Sequence, residues 1–284
     1  MREAVRTRVR RNPKSSTGFA ANRAIGAVDF GVRSIDGMTR RSTVHEAGSL
    51  RVRFPAPETD ALSAVLINTA GGVAGGDRFS VSVRAEADTR LTITTAAAEK
   101  IYRSHGPDAE ITVELKLAEG ARVAWLPQET ILFDRAALAR RIDIDVAATA
   151  SLLCAEIVVF GRTAMDERLQ EGRYLDRWRL HRGGKLVFAE TLRLGGDIGE
   201  KLARRAIANG GVAIATVLIV PGDEALVARL RDSAEHFGRE VGISAWNGFA
   251  LARFCGADAA RLRTDVVALL NAIDGKILPR IWLS

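Results

Sequence analysis

Alternation of apolar and polar residues is the feature that most narrows the folds open to this chain of 284 residues, and it dominates from Gly26 to about Leu194. In ITVELKL, Ile111, Val113, Leu115 and Leu117 share one face, and Thr112, Glu114 and Lys116 the other. IDIDV sets Ile142, Ile144 and Val146 against Asp143 and Asp145, and LTITT sets Leu91 and Ile93 against Thr92 and Thr94. Successive side chains of a strand point to opposite sides, so a period of two predicts strands with one dry and one wet face. Antiparallel sheets and the walls of a β-solenoid are built this way.

The strands also recur. VSVRAEADTRLTITT, VELKLAEGARVAWL and IDIDVAATASLLCAEI each run from an alternating strand through a small-residue turn into a second strand. Leu91, Val123 and Leu152 hold equivalent places, 32 and 29 residues apart. A period of that size predicts stacked β-hairpin units that share one core. After about residue 208 the pattern changes. GGVAIATVLIV reads as a buried strand and Pro221-Gly222-Asp223 as a helix start, followed by Val227, Leu230, Ala234 and Phe237 at helical spacing and a stop at Gly238. Asn247-Gly248 is a hairpin signal. A second helix carries Leu262, Val266, Leu269 and Ile273, ending near Gly275. The predicted class is β-rich α+β: stacked, solenoid-like β-sheets over 24–208, an α+β part with two helices over 209–284 packed on that body, and a basic, disordered arm over 1–23.

Charge confirms the division at the arm. The formal net charge is +7, and residues 1–23, with seven basic residues against Glu3 alone, carry +6 of it. The excess therefore belongs to a tail, and a nucleic-acid face on the folded part is not indicated. Aromatic residues, 6% of the chain, do not interleave with basic ones as stacking platforms require. The pairs Arg40-Arg41, Arg140-Arg141 and Arg204-Arg205 read as solvated edges. The longest apolar run, Val212 to Val220, falls short of the ~20 residues of a membrane span. Two distant cysteines, Cys154 and Cys255, suit a reducing compartment, so a cytoplasmic protein is expected.

GGVAGGDR, residues 71–78, carries the glycine spacing of a phosphate-binding loop. Such a loop needs lysine after the second glycine and a helix after that. Here Asp77-Arg78 follows, and then the alternating strand FSVSV. Gly71, Gly72, Gly75 and Gly76 are better explained by positive φ angles and close backbone approach. The histidines, 45, 105, 181 and 236, are scattered, with no zinc-type spacing and no nucleophile elbow nearby, so no tight metal site and no catalytic residue is predicted. Cys154, inside an apolar strand, reads as a buried structural thiol. Glu156 in LLCAEIVVF and Glu190 in KLVFAETLRL are single acids in apolar strands; facing inward, they would need partners or a wet cavity.

GGVAGGD (71–77), EKIYRS (99–104), WLPQETILF (125–133), EIVVFGR (156–162) and LPRIWLS (278–284) together resemble one family, the urease accessory protein UreD, also called UreH. The chain departs from the family pattern at Thr69-Ala70, where Pro-Pro is common, and at Ala96-Ala97-Ala98-Glu99, where a Pro-Gly-Ala run is common. The resemblance implies a non-enzymatic protein that docks on apo-urease and on UreF, which recruits the GTPase UreG, with Ni²⁺ passing transiently through the assembly. It also implies a β-rich, helix-poor fold and an internal nickel path, for which Asp77, Glu156 and Glu190 match acidic motif positions. Trp125, Gln128, Tyr102 and Arg103 lie in its motifs and are candidate interface residues. A nucleotide-dependent enzyme using the Gly71–Gly76 loop, or a nucleic-acid binder using the arm, are the alternatives.

Overall fold

The structure is a computed structural model that describes residues 23–56, 60–162, 165–234, 237, 240–275 and 278–283. The arm expected over 1–23 lies outside these residues except for Arg23, as do His236, Gly238 and Ser284. Among the described residues the chain builds two sheets. The first has seven strands in the order β14 (Lys185–Asp197), β13 (Glu171–Arg182), β11 (Ala137–Val146), β8 (Ala109–Leu117), β5 (Arg78–Ala85), β1 (Ile25–Ile35) and β2 (Met38–Gly48). The second follows the path β16 (Glu240–Trp246), β17 (Phe249–Gly256), β15 (Ala213–Val220), β12 (Ser151–Phe160), β9 (Arg122–Trp125), β6 (Arg90–Thr95), β4 (Leu62–Asn68) and β3 (Leu50–Arg53). Two short strands, β7 (Glu99–Ile101) and β10 (Thr130–Leu132), pair beside it.

The sequence repeat is the winding of the chain between these sheets. β5 leads to β6, β8 to β9 and β11 to β12, each time leaving the first sheet and entering the second. The units are thus arches and not hairpins, because their two strands never pair with each other. They stack in parallel, and the equivalent residues become neighbours: Leu91 pairs with Val123, and Val123 with Leu152. The turns stack too, with the Ala118 amide donating to Ala85 O and the Ala147 amide to Leu117 O, both at 2.9 Å. The inward residues of both sheets form one core, including Phe30, Val83, Leu115, Ile144, Leu91, Val123 and Leu152.

Strand β12 departs from alternation for a reason visible in its neighbours. Leu152, Cys154, Val158 and Phe160 face the core between the sheets. Leu153, Ala155, Ile157 and Val159 face a second core, covered by α2 (Glu224–Ala234) and α3 (Ala259–Ile273). Both faces are dry, so the strand reads as continuously apolar. The C-terminal part therefore extends the second sheet with β15 to β17 and covers its outer side. Asp223 caps the start of α2 by accepting from the Leu226 amide, and the Asn247-Gly248 turn joins β16 to β17 with φ angles of 50° and 80°. A one-turn helix, α1 (Ile198–Ala203), capped by Asp197, was not marked in the sequence by any apolar period. Among the described residues no helix is long and apolar enough to cross a membrane.

Candidate functional site

Parity along the strands determines what meets between the sheets. On β11, Leu138, Ile142 and Ile144 point inward, and Arg140 shares their parity. On β13, Asp176 lies between the inward Tyr174 and Trp178 and is the register partner of Arg140. On β12 of the opposite sheet, Glu156 lies between the inward Cys154 and Val158, one step beyond the Cys154–Trp125 pair. An arginine, two carboxylates, a tyrosine and two tryptophans therefore converge in the intersheet core. Arg140 is 6% exposed, Glu156 4% and Asp176 6%.

The group is fully bonded. Arg140 grips Asp176 with two hydrogen bonds, from Nε at 2.9 Å and Nη2 at 2.6 Å, and reaches across the sheets through Nη1 to Glu156 Oε2 at 2.5 Å. Trp125 Nε1 donates to Glu156 Oε1 at 2.8 Å. Tyr174 Oη accepts from Arg140 and, like Trp178 Nε1, donates to Asp176 Oδ2 at 3.0 Å. The two acids differ in consequence. Burial raises the pKa of Glu156 against the pull of Arg140 and Trp125. Burial also acts on Asp176, but Arg140 and the Trp178 and Tyr174 donors outweigh it and leave its pKa lowered. The two carboxyls of the group are thus shifted in opposite directions, Glu156 upward and Asp176 downward.

Two cavities meet at this group, and Arg140 and Glu156 line both. The smaller, about 30 Å³, continues past Trp178, Leu192 and Thr216 to Glu190, whose carboxylate pairs with Arg253 at 2.7 Å. The larger, about 290 Å³, runs between the sheets to Gly71, Gly72, Asn68 and Glu99. Burial pushes the Glu99 carboxyl up to about 7, against the hydrogen bonds it accepts from Asn68 and its own neighbour's backbone. A folded pKa above the unfolded value of about 4.3 means that stability is full at low pH and declines as pH rises toward and through 7. Glu99→Gln is accordingly expected to match the native chain in Tm near pH 4.5 and to exceed it by a few degrees at pH 8, roughly what 1 kcal/mol is worth at this size. Thermal unfolding at the two pH values checks this.

The glycine loop forms the rim of the larger cavity. Several of its amides are bonded: Gly71 donates to Asn68 O, Val73 to Lys100 O and Gly76 to Asp108 O. Asp77 holds the loop closed by accepting from the Ala24 amide at 2.9 Å and the Ala74 amide at 2.7 Å, and it lines neither cavity. The chain then enters β5, and no helix offers its N-terminus to a phosphate. Gly72 has φ +150°, and a Cβ there would strike the Tyr102 ring and stand 2.9 Å from Lys100 O. Gly72→Ala should therefore cost about 2 kcal/mol in urea unfolding, since a backbone carbonyl cannot move aside as a side chain does.

The acids expected to face a channel are thus divided: Glu156 and Glu190 border the same small cavity, and Asp77 is a loop closure apart from it. Of the candidate interface residues, Tyr102 and Arg103 are exposed, whereas Trp125 and Gln128 are buried and present no surface. Arg140-Arg141 is not a solvated edge as a pair. Arg141 is exposed, but Arg140 takes an inward position of β11. Reasoning from the sequence missed Arg140, Asp176, Tyr174 and Trp178, although their shared parity with neighbouring apolar residues marked all four as inward. Cys154 is buried, as expected.

The segments that carried the family resemblance lie against one another. Tyr102 packs edge-on to Phe133 with centroids 5.2 Å apart, and the Arg162 guanidinium lies 4.5 Å from the Phe133 ring. Trp282 donates to Leu126 O at 2.8 Å, with Arg263 stacked on it and paired to Glu129. A family model described as the UreD urease accessory protein matches residues 24–283. The chain belongs to the UreD family. It is 64% identical over 270 residues to a urease accessory protein UreD of Rhodopseudomonas palustris, covering 95% of this chain and 97% of that one. A UreD from another strain of that species is 68% identical over 266 residues, 94% of this chain and 96% of the other. UreD of Bradyrhizobium diazoefficiens is 64% identical over 270 residues, 95% and 98% of the two chains. The bonded group, the glycine-loop rim and the two cavities described above thus belong to a UreD-family urease accessory protein.

Proposed function

We infer that this UreD-family chain performs no catalysis of its own and serves in the cytoplasm as a scaffold of urease maturation, docking on apo-urease and on UreF, with UreG joining through UreF. Ni²⁺ is its transient cargo, passing between the sheets by way of Glu99, Glu156 and Glu190. One observation carries the reading: the two cavities share Arg140 and Glu156 in their walls, so the bonded group stands between them. Arg140 can release Glu156 and keep both of its bonds to Asp176, which leaves a carboxylate open to a cation.

The donor chemistry favours passage over storage. Ni²⁺ is held firmly by clustered imidazole or thiolate groups. Among the described residues no three His, Cys, Asp or Glu side chains are grouped to hold a metal ion. Single carboxylates along the way are exchangeable oxygen donors, suited to a hydrated ion in transit. The rival reading, a nucleotide enzyme, would require a row of free amides opening a helix, whereas the Gly71, Val73, Ala74 and Gly76 amides are bonded and the loop runs into β5. The decisive experiment is co-purification of the full chain from a urease-expressing lysate, paired with a nucleotide titration of the purified chain. Urease subunits and UreF should co-purify and nucleotide should not bind. Micromolar nucleotide binding without urease would overturn the assignment.

A further inference from the structure

The larger cavity has features that a passing ion does not use. Its walls include Leu50, Leu66, Phe79, Val81, Ile111 and Val113, and at about 290 Å³ it is sized for a small organic molecule. At its mouth the Glu99 carboxylate accepts from Asn68 Nδ2 at 3.1 and 3.2 Å, and no cationic side chain among the described residues pairs with it. Gln128 lies on the segment whose residues Glu129 and Thr130 meet Glu99. It lines the same cavity, is 8% exposed, and its Nε2 has no acceptor among the described residues.

We propose that this cavity binds a small aliphatic amine bearing a neighbouring hydroxyl or carbonyl oxygen, with the ammonium on Glu99, the oxygen accepting from Gln128 Nε2, and the hydrocarbon against the apolar walls. Each part answers an unmet need. The ammonium supplies the missing countercharge of a half-buried carboxylate, which is costly to leave alone. The oxygen satisfies a buried amide donor that otherwise loses its hydrogen bond. The chain buries hydrocarbon in a space lined mainly by aliphatic and aromatic groups. An anionic ligand would meet Glu99 at one end and Glu156 at the other. A purely apolar ligand would leave both polar groups unpaired. Among the described residues a hydrated divalent ion finds one carboxylate at the mouth and no cluster of three acidic, His or Cys ligands, so it would pass and not stay.

The charged groups around Glu99 are consistent with this selectivity. Lys100 is exposed on the same strand, Glu129 is already paired with Arg263, and Arg140 is committed to Glu156 and Asp176 at the inner end. The site shares Glu99 and the larger cavity with the proposed nickel route, but it stands or falls on binding by the purified full chain, without metal or partner.

The test is calorimetric or NMR titration at pH 8 with three probes: n-pentylammonium, 1-pentanol and 2-amino-1-pentanol. Pentylammonium should bind on the order of tenfold tighter than pentanol, the worth of one charge-assisted hydrogen bond, and the amino alcohol several-fold tighter again. Glu99→Gln should abolish the preference for amine over alcohol, Glu99→Asp should keep part of it, and Gln128→Met should remove only the gain of the amino alcohol. Equal binding of pentanol and pentylammonium overturns the proposal. So does a preference that survives Glu99→Gln, or no binding of any probe at millimolar concentration.

Discussion

Arg140→Met should destabilise the chain by about 3–5 kcal/mol in urea unfolding, the usual result of removing one partner from a buried ionic group. The methionine fills most of the space of the arginine stem, so packing is a minor part of the loss. The main part is electrostatic. Asp176 keeps only the Tyr174 and Trp178 donors, and Glu156 keeps only Trp125. Two buried carboxylates without a cation must either stay charged at high cost or take up protons. Both folded-state pKa values then lie above the unfolded ones, so the variant's deficit should shrink toward pH 5 and widen toward pH 8. Adding Asp176→Asn to Arg140→Met should recover part of the stability at pH 8, because it removes the anion that depended most on the arginine. A pH-independent deficit would mean that Arg140 contributes through its shape alone.

Arg140 also shows how far the sequence could be read and where reading stopped. The strands of the solenoid were legible because each buries one face, which writes a period of two into the chain. The arch repeat was legible because stacked units place equivalent residues in register, as Leu91, Val123 and Leu152 are. What local pattern could not reveal is that the two strands of a unit lie in different sheets, since a turn between sheets and a turn within a sheet use the same small residues. The cluster was half visible. Glu156 stood out as a lone acid in an apolar strand, but Arg140 was obscured by its exposed neighbour Arg141, and Asp176 by the charges on either side of it in LDRWR. Parity would have separated them, since Arg140 counts with Leu138 and Ile142. Asp77 was singled out through the family resemblance, and local pattern did not show that its carboxylate closes a tight loop on two backbone amides.

Glu156→Gln separates a structural role from a role in nickel passage. The amide is isosteric, but its single oxygen can accept from only one of Trp125 and Arg140, and its Nε2 then faces the other donor; against that loss, burial already holds the native carboxylate at a cost. The variant should still fold, with Tm lowered by several degrees for the one donor left unsatisfied, and should still co-purify with apo-urease. Arg140 loses one of two counter-anions but keeps its bidentate grip on Asp176, so no buried charge is left alone. What changes is the capacity of the boundary between the cavities to accept a cation. Urease matured with Glu156→Gln should then carry far less nickel, on the order of a tenfold fall in activity, the scale of one lost charge-assisted contact. Glu190→Gln should fall less, because that acid is partly exposed, paired with Arg253 and screened by solvent. Full nickel loading by both variants would place the route elsewhere, whereas loss of co-purification would assign Glu156 to docking or folding.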